Sequence, residues 1–132
     1  APPIVLDIST CSIAEGKIKV ARNRGQRLPE GCVIDSDGRP TTEPSRFYAT
    51  PPGAILPFGG HKGFGLSVIT EILAGALTGG GCSNPSNNEF LSNGMLTVIM
   101  APDLFGPRDE FDAEVEQFVT FLKSSRRAEG VE

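Results

Sequence analysis

Apolar residues along this chain fall into two kinds of run, and each kind predicts a different element. Short apolar runs at residues 4–8, 54–56 and 95–100, the first and last each holding one polar residue, have strand length and are rich in Ile, Val and Leu, so each predicts a buried strand. Cys32-Val33-Ile34 predicts a shorter one. Longer stretches carry the helical period. Phe111, Val115, Phe118, Val119 and Leu122 share one face of an amphipathic helix, which Pro107 and Asp109 suit at its start and Arg126 and Arg127 at its end. Leu66, Val68, Ile69, Ile72, Leu73, Ala76 and Leu77 are apolar nearly all round, which predicts a helix buried on most faces. Gly75 lets a neighbour approach that helix closely, and Gly79-Gly80-Gly81 ends it. Residues 12–24 predict a weaker helix, interrupted by Gly16, with a stripe of Ile13, Val20 and Ala21. Ser9 or Thr10 would cap it, and Gly25 would stop it.

Strands and helices alternate, so the class is mixed α and β, and the alternation taken alone points to a parallel sheet. Asp35-Ser36-Asp37-Gly38 is a turn signal, with Pro40, Pro44, Pro51 and Pro52 beyond it. Asp35 and Asp37 begin like a calcium loop, but no glutamate follows at the required spacing and no helices flank it, which leaves a plain turn. Residues 83–88 form a second polar loop.

A length of 132 residues suits a single domain over residues 1–132, and 39% hydrophobic with 21% charged residues is ordinary for a globular chain. No run approaches the ~20 apolar residues of a membrane span. Twelve Lys and Arg against 16 Asp and Glu give a net charge of −4, which argues against nucleic acid as a partner. The basic stretch Lys17, Lys19, Arg22, Arg24, Arg27 and the acidic stretch Asp109, Glu110, Asp112, Glu114, Glu116 read as solvated faces. Three scattered cysteines and one histidine complete no zinc spacing, so no metal is expected, and a reducing cytoplasmic compartment fits. The chain opens without methionine on strand-like residues and reads as part of a longer protein.

The most informative stretch is Gly59-Gly60-His61-Lys62-Gly63-Phe64-Gly65-Leu66, a glycine-rich loop between a strand and a helix. Glycines let backbone amides approach an anion, the helix start is partially positive, and Lys62 adds a full charge. The loop is not a Walker A motif, because Gly63 stands where Ser or Thr would hold magnesium. Nor is it Gly-x-Gly-x-x-Gly, since Val68 occupies the last position. On residues alone, phosphate binding and a structural turn are equally matched. His61 is either a ligand-touching group or a loop histidine bonded to backbone. Asp7, at a strand end, is either a ligand-facing carboxylate or a helix cap. Glu71 interrupts the apolar helix and needs a partner or an edge.

Asp7-Ile8-Ser9-Thr10-Cys11-Ser12-Ile13-Ala14-Glu15-Gly16-Lys17-Ile18 resembles a signature of the malate/L-lactate dehydrogenase family of NAD(P)-dependent oxidoreductases. Leu28-Pro29-Glu30-Gly31, Asp35-Ser36-Asp37-Gly38-Arg39-Pro40-Thr41-Thr42, the stretch from Leu56 to Leu66 and Glu71-Ile72-Leu73-Ala74-Gly75-Ala76-Leu77-Thr78-Gly79 also match, in the family's order. The resemblance implies an α+β fold with a largely antiparallel sheet flanked by helices, a non-Rossmann nucleotide-binding domain. It implies NAD or NADP as cofactor, a small 2-hydroxy or 2-oxo acid as substrate, and a homodimer. Asp7, Ile8, Ser9, Thr10, Cys11, Ser12, Ile13, His61, Lys62 and Gly63 are the expected cofactor-binding residues. The catalytic histidine lies, on the same resemblance, in a preceding region, so no catalytic residue is assigned here and this chain alone should be inactive. Cys11 departs from the family's usual serine. The alternative is a stand-alone nucleotide-binding or regulatory module, or a structural half-domain whose glycine loop merely turns the chain.

Overall fold

In the computed structural model, which describes residues 3–84 and 93–130, the chain divides into two compact units, Leu6–Leu96 and Ala1–Val5 with Thr97–Glu132. The first contains α1 (Glu15–Asn23), β1 (Val33–Ile34), β2 (Pro40–Thr41), α2 (Pro44–Phe47), β3 (Ala54–Ile55) and α3 (His61–Thr70), which runs on into a π-helical turn (Glu71–Ala76).

Ile18 of α1, Leu28 and Val33 of β1 are the buried core, with Ile13, Ala21, Cys32, Phe47, Tyr48 and Ile55 packed around them. The helix expected over residues 12–24 begins only at Glu15, and Ala14 precedes it without a side-chain cap, so neither Ser9 nor Thr10 caps it. Ser12 is bonded elsewhere, through a hydroxyl 2.8 Å from the Leu56 carbonyl and 3.1 Å from that of Cys32. Helix phase then puts Ile18 and Ala21, three residues apart, on the inner face, while Val20 of the expected stripe is exposed. Gly25 does end the helix, at a φ of 63°. Arg22 stacks its guanidinium 5.0 Å over the Tyr48 ring and ties α1 to α2.

The sheet is antiparallel, in the order β2-β1-β3, with Val33 opposite both Thr41 and Ile55. The parallel sheet suggested by alternation is therefore corrected. A parallel crossover needs about a dozen residues or more, and β1 reaches β2 through the Asp35–Gly38 turn instead. That turn forms as expected, with the Gly38 amide 3.0 Å from the Asp35 carbonyl. β3 is shorter than its apolar run and only half-buried at Ile55. Helices and a small antiparallel sheet make the unit mixed α+β.

Three expectations of burial fail. Residues 4–8 form no strand and are exposed, as are residues 95–100, where Met95 and Ile99 are 82% and 89% accessible. An apolar β-branched run favours extended backbone, but a strand also needs a ladder partner, and among the described residues none pairs with either run. The helix expected to be buried on most faces is largely open. Phe64, Leu66, Ile69, Ile72 and Leu77 are exposed, and Gly63 is the buried residue of α3. Gly75 does meet a neighbour closely, its carbonyl accepting the Gly81 amide at 3.1 Å, and positive φ at Gly79 and Gly81 turns the chain away as expected.

In the second unit a 3-10 turn (Pro102–Leu104) precedes α4 (Arg108–Ser124). Pro107 stands at the N-cap as expected, but the helix ends before Arg126 and Arg127, with Lys123 as the cation of its last turn. Val115 and Val119 are half-buried, while Phe111, Phe118 and Leu122 are exposed. Residues 85–88 of the second polar loop lie outside the described residues. Among those described, no helix is long and apolar enough to cross a membrane.

Candidate functional site

The signature segment and the glycine loop meet through backbone pairing. Ser12 donates its amide to the Leu56 carbonyl at 2.9 Å, Phe58 donates to the Thr10 carbonyl at 3.0 Å, and Cys11 forms an antiparallel bridge with Pro57. Segment 10–12 thus lies alongside segment 56–58. Gly59 and Gly60 then take φ of 57° and 61°, a left-handed turn that L side chains resist, and α3 starts at His61. The turn is tight enough that Gly63 packs against the signature segment. A β-carbon there would stand 2.2 Å from the Phe58 carbonyl oxygen and 3.0 Å from that of Thr10. One turn further on, Ser67 donates its hydroxyl to Thr10 Oγ1 at 2.7 Å.

This geometry changes what the loop can offer an anion. The amides of Lys62, Gly63 and Phe64 donate to the carbonyls of Gly59, Phe58 and Gly60, at 3.3, 3.0 and 3.1 Å. The loop closes on itself, so a phosphate would be met chiefly by the Lys62 side chain and the positive end of the helix, rather than by a cradle of amides. His61 and Lys62 are both exposed there, and among the described residues no carboxylate forms an ion pair with Lys62.

The expected cofactor residues divide by environment. Thr10, Cys11, Ser12 and Gly63 are brought together as one junction. Ser9 turns locally, its Oγ accepting the Cys11 amide at 3.2 Å. Asp7 and Ile8 are exposed on the approach to the junction, and among the described residues no hydrogen bond joins them to the glycine loop. Ile13 directs its side chain to the core. Ser67 was absent from the expected set. Its signal was available, since a hydroxyl interrupts an otherwise apolar helix, but its partner lies 57 residues away in sequence.

Beside the junction an open cavity of about 310 Å³ is lined by Ser67, Val68, Glu71 and Ile72. Glu71 finds the partner it needs in the backbone amide of Ser83, a bond that holds its carboxyl below the ordinary value. Cys82 donates its thiol to the Glu71 carbonyl at 3.6 Å, so the chain beyond the π-helical turn is fastened to the turn's first residue. Among the described residues, no group of three or more His, Cys, Asp or Glu is placed to hold a metal.

Comparison with known proteins places this arrangement in context. A family model described as malate/L-lactate dehydrogenase matches residues 1–132. An L-lactate dehydrogenase of Cupriavidus necator is 44% identical over 133 residues, an alignment that covers 99% of this chain and 38% of that protein. The solved sulfolactate dehydrogenase of Methanocaldococcus jannaschii superposes with a TM-score of 0.75 at 38% identity, over 96% of this chain and 37% of that one. The delta1-piperideine-2-carboxylate reductase of Pseudomonas syringae pvar. tomato gives 0.74 at 34% identity, over 98% and 41%. The chain therefore spans about two-fifths of the length of these relatives.

Proposed function

Since this chain belongs to the malate/L-lactate dehydrogenase family, we propose that residues 1–132 serve as one nicotinamide-nucleotide-binding domain of an oxidoreductase. The whole enzyme moves a hydride between NAD or NADP and a small 2-hydroxy or 2-oxo acid of the malate or lactate type. The names of the relatives support the substrate class, and the observation that carries the cofactor reading is the junction of segments 10–12 and 56–63 beneath an exposed His61-Lys62 pair.

The donor chemistry of that junction fits a phosphorylated nucleotide. Lys62 offers an ammonium without a carboxylate partner among the described residues, at the positive end of α3. A small antiparallel sheet and the absence of Gly-x-Gly-x-x-Gly support a non-Rossmann mode of binding. When bound, the nicotinamide supplies the hydride chemistry. This chain's residues bind and orient. Lys62 neutralises phosphate charge, and His61 borders the ribose or nicotinamide side. Asp7, Ile8 and Ser9 line the approach, while Thr10, Cys11, Ser12, Ile13 and Gly63 hold that approach against the loop. The acid–base group comes from another part of the enzyme, so this chain is inactive alone. The open apolar side of α3 supports a homodimer, and the free thiols of Cys11, Cys32 and Cys82 support a reducing cytoplasmic setting.

Lys62→Ala in the full-length enzyme tests this reading. A lost charge-assisted contact should raise the cofactor dissociation constant about tenfold to a hundredfold, with much less effect on the acid substrate. Fluorescence titration with NADH and NADPH measures it, and an unchanged dissociation constant for both would show that the loop only turns the chain.

A further inference from the structure

We propose that Thr10 and Ser67 act as a positioning pair, whose hydroxyl–hydroxyl bond fixes the rotation of α3 on the signature segment and so sets where His61 and Lys62 stand. The inference rests on the cofactor reading above and names two residues that carry it from behind. Of residues 7–12, Thr10 alone is half-buried, and Ser67 is half-buried on an otherwise exposed stretch of α3. Their hydroxyls lie 2.7 Å apart across 57 residues of sequence.

Thr10 is the point where three constraints converge. Its carbonyl accepts the Phe58 amide at 3.0 Å. The same carbonyl oxygen stands against the bare α-carbon of Gly63. Its hydroxyl accepts from Ser67, four residues beyond Gly63 and so on the same face of α3. Gly63 alone would be a pivot, because its backbone contacts with Phe58 and Thr10 are gathered at one point of the helix and leave it free to roll about that point. A second attachment one turn away removes that freedom. His61 and Lys62 precede the pivot by two residues and one, so their direction follows the roll of the helix. Backbone pairing of segments 10–12 and 56–58 fixes the base, and the hydroxyl pair fixes the angle. Neither hydroxyl needs to touch the nucleotide for this effect.

The test uses the full-length enzyme with Ser67→Ala, Thr10→Val, the double variant and Ser67→Thr, which keeps the hydroxyl. Each single loss should raise the NADH or NADPH dissociation constant about threefold to tenfold, the range of one neutral hydrogen bond. In Ser67→Ala the turnover number at saturating cofactor should stay within about twofold. The double variant should be no worse than the poorer single one, because the two share one bond, and Ser67→Thr should restore affinity. Thermal unfolding of each variant is recorded alongside. Unchanged cofactor affinity in Ser67→Ala, or additive losses in the double variant, would overturn the proposal, as would lower thermal stability with affinity intact. If Lys62→Ala weakens binding while Ser67→Ala does not, the cofactor reading stands and the positioning pair falls. If the wild-type enzyme binds neither nucleotide, both fall together.

Discussion

The unit Leu6–Leu96 buries Ile18 and Val33 completely, whereas α4 in the other unit, nearly twice as long as α1, buries no side chain. The difference separates two sources of helical stability. α1 has nine residues, below the about 12–15 at which an isolated helix becomes even marginal in water. It exists because Ile18, Ala21 and the Arg22–Tyr48 stack tie it to α2 and the sheet. α4 has 17 residues, Pro107 at its start, acidic residues in its first turn and an Arg108–Asp112 pair at 3.0 Å one turn apart. Its local sequence favours the helix before any partner is counted. A clean amphipathic stripe thus marks a helix that forms, and says nothing about whether its face is covered within the same chain.

The sharpest way to break this contrast is to truncate one apolar residue in each helix. In this 132-residue chain, Ile18→Ala should cost about 2–5 kcal/mol, since it opens a cavity among Leu28, Val33 and their neighbours. Phe118→Ala, on the exposed stripe of α4, should stay within about 0.5 kcal/mol. Denaturant unfolding with a constant slope measures both. Equal losses would mean that α4 is packed as tightly as α1 and that the contrast is wrong.

The same contrast explains what the sequence could and could not reveal. Features closed by a few residues were legible. The Asp35–Gly38 turn, the stop at Gly25 and the start of α4 at Pro107 depend on local φ preferences and short hydrogen bonds. Features that need a distant partner were misread. Residues 4–8 and 95–100 have strand composition, but composition cannot supply the ladder. α3 looked buried because its residues are apolar, yet burial belongs to whatever lies opposite, and here its sides are open. Ile13 and Ala21 of the expected stripe do pack against the core, but the choice of Ile18 over Val20 as its centre belongs to the tertiary partners, Leu28 and Val33. The site shows the same division. The glycine loop stood out by composition, whereas its contact with Thr10 is tertiary, and Ser67 could be noticed only as an oddity in an apolar helix.

A medium-sized effect sharpens the comparison within α3 itself, between its packed and open sides. Gly63→Ala would drive a β-carbon against the Phe58 backbone and should destabilise by about 1–3 kcal/mol, with loss of the junction. Gly65, two residues on, meets nothing within 4 Å, so Gly65→Ala should stabilise by up to about 1 kcal/mol through helix propensity. Thermal unfolding of the two variants side by side checks this. A destabilising Gly65→Ala would show that the open side of α3 is already occupied.

The smallest expected effect concerns acid, and it falls on the unit that holds the core. Asp35 Oδ1 accepts the amides of Arg39 at 2.9 Å and Asp37 at 3.0 Å, and Arg46 approaches Oδ2 at 3.7 Å. The Arg39 amide, ahead of the other partners, holds the Asp35 carboxyl below its ordinary value of 3.8, and the Ser83 amide does the same for Glu71 from 4.5. A carboxyl that binds its proton less readily in the folded chain contributes stability that is complete above its unfolded pKa. That contribution fades as pH falls through the folded one. Stability from these two groups should therefore be flat from neutrality to about pH 5 and decline below about pH 4. In Asp35→Asn an acceptor oxygen remains while the titrating group is gone, so the acid slope should become shallower through lower stability at pH 7, with little change in acid. Denaturant midpoints at a series of pH values, with hydrogen exchange at the Asp37 and Arg39 amides, give the readout. The protection factors of these two amides, which allow for the slower intrinsic exchange in acid, should fall on acidification in the wild-type chain. An identical acid slope in Asp35→Asn, or protection factors that do not change with pH, would contradict this share of the core unit's stability.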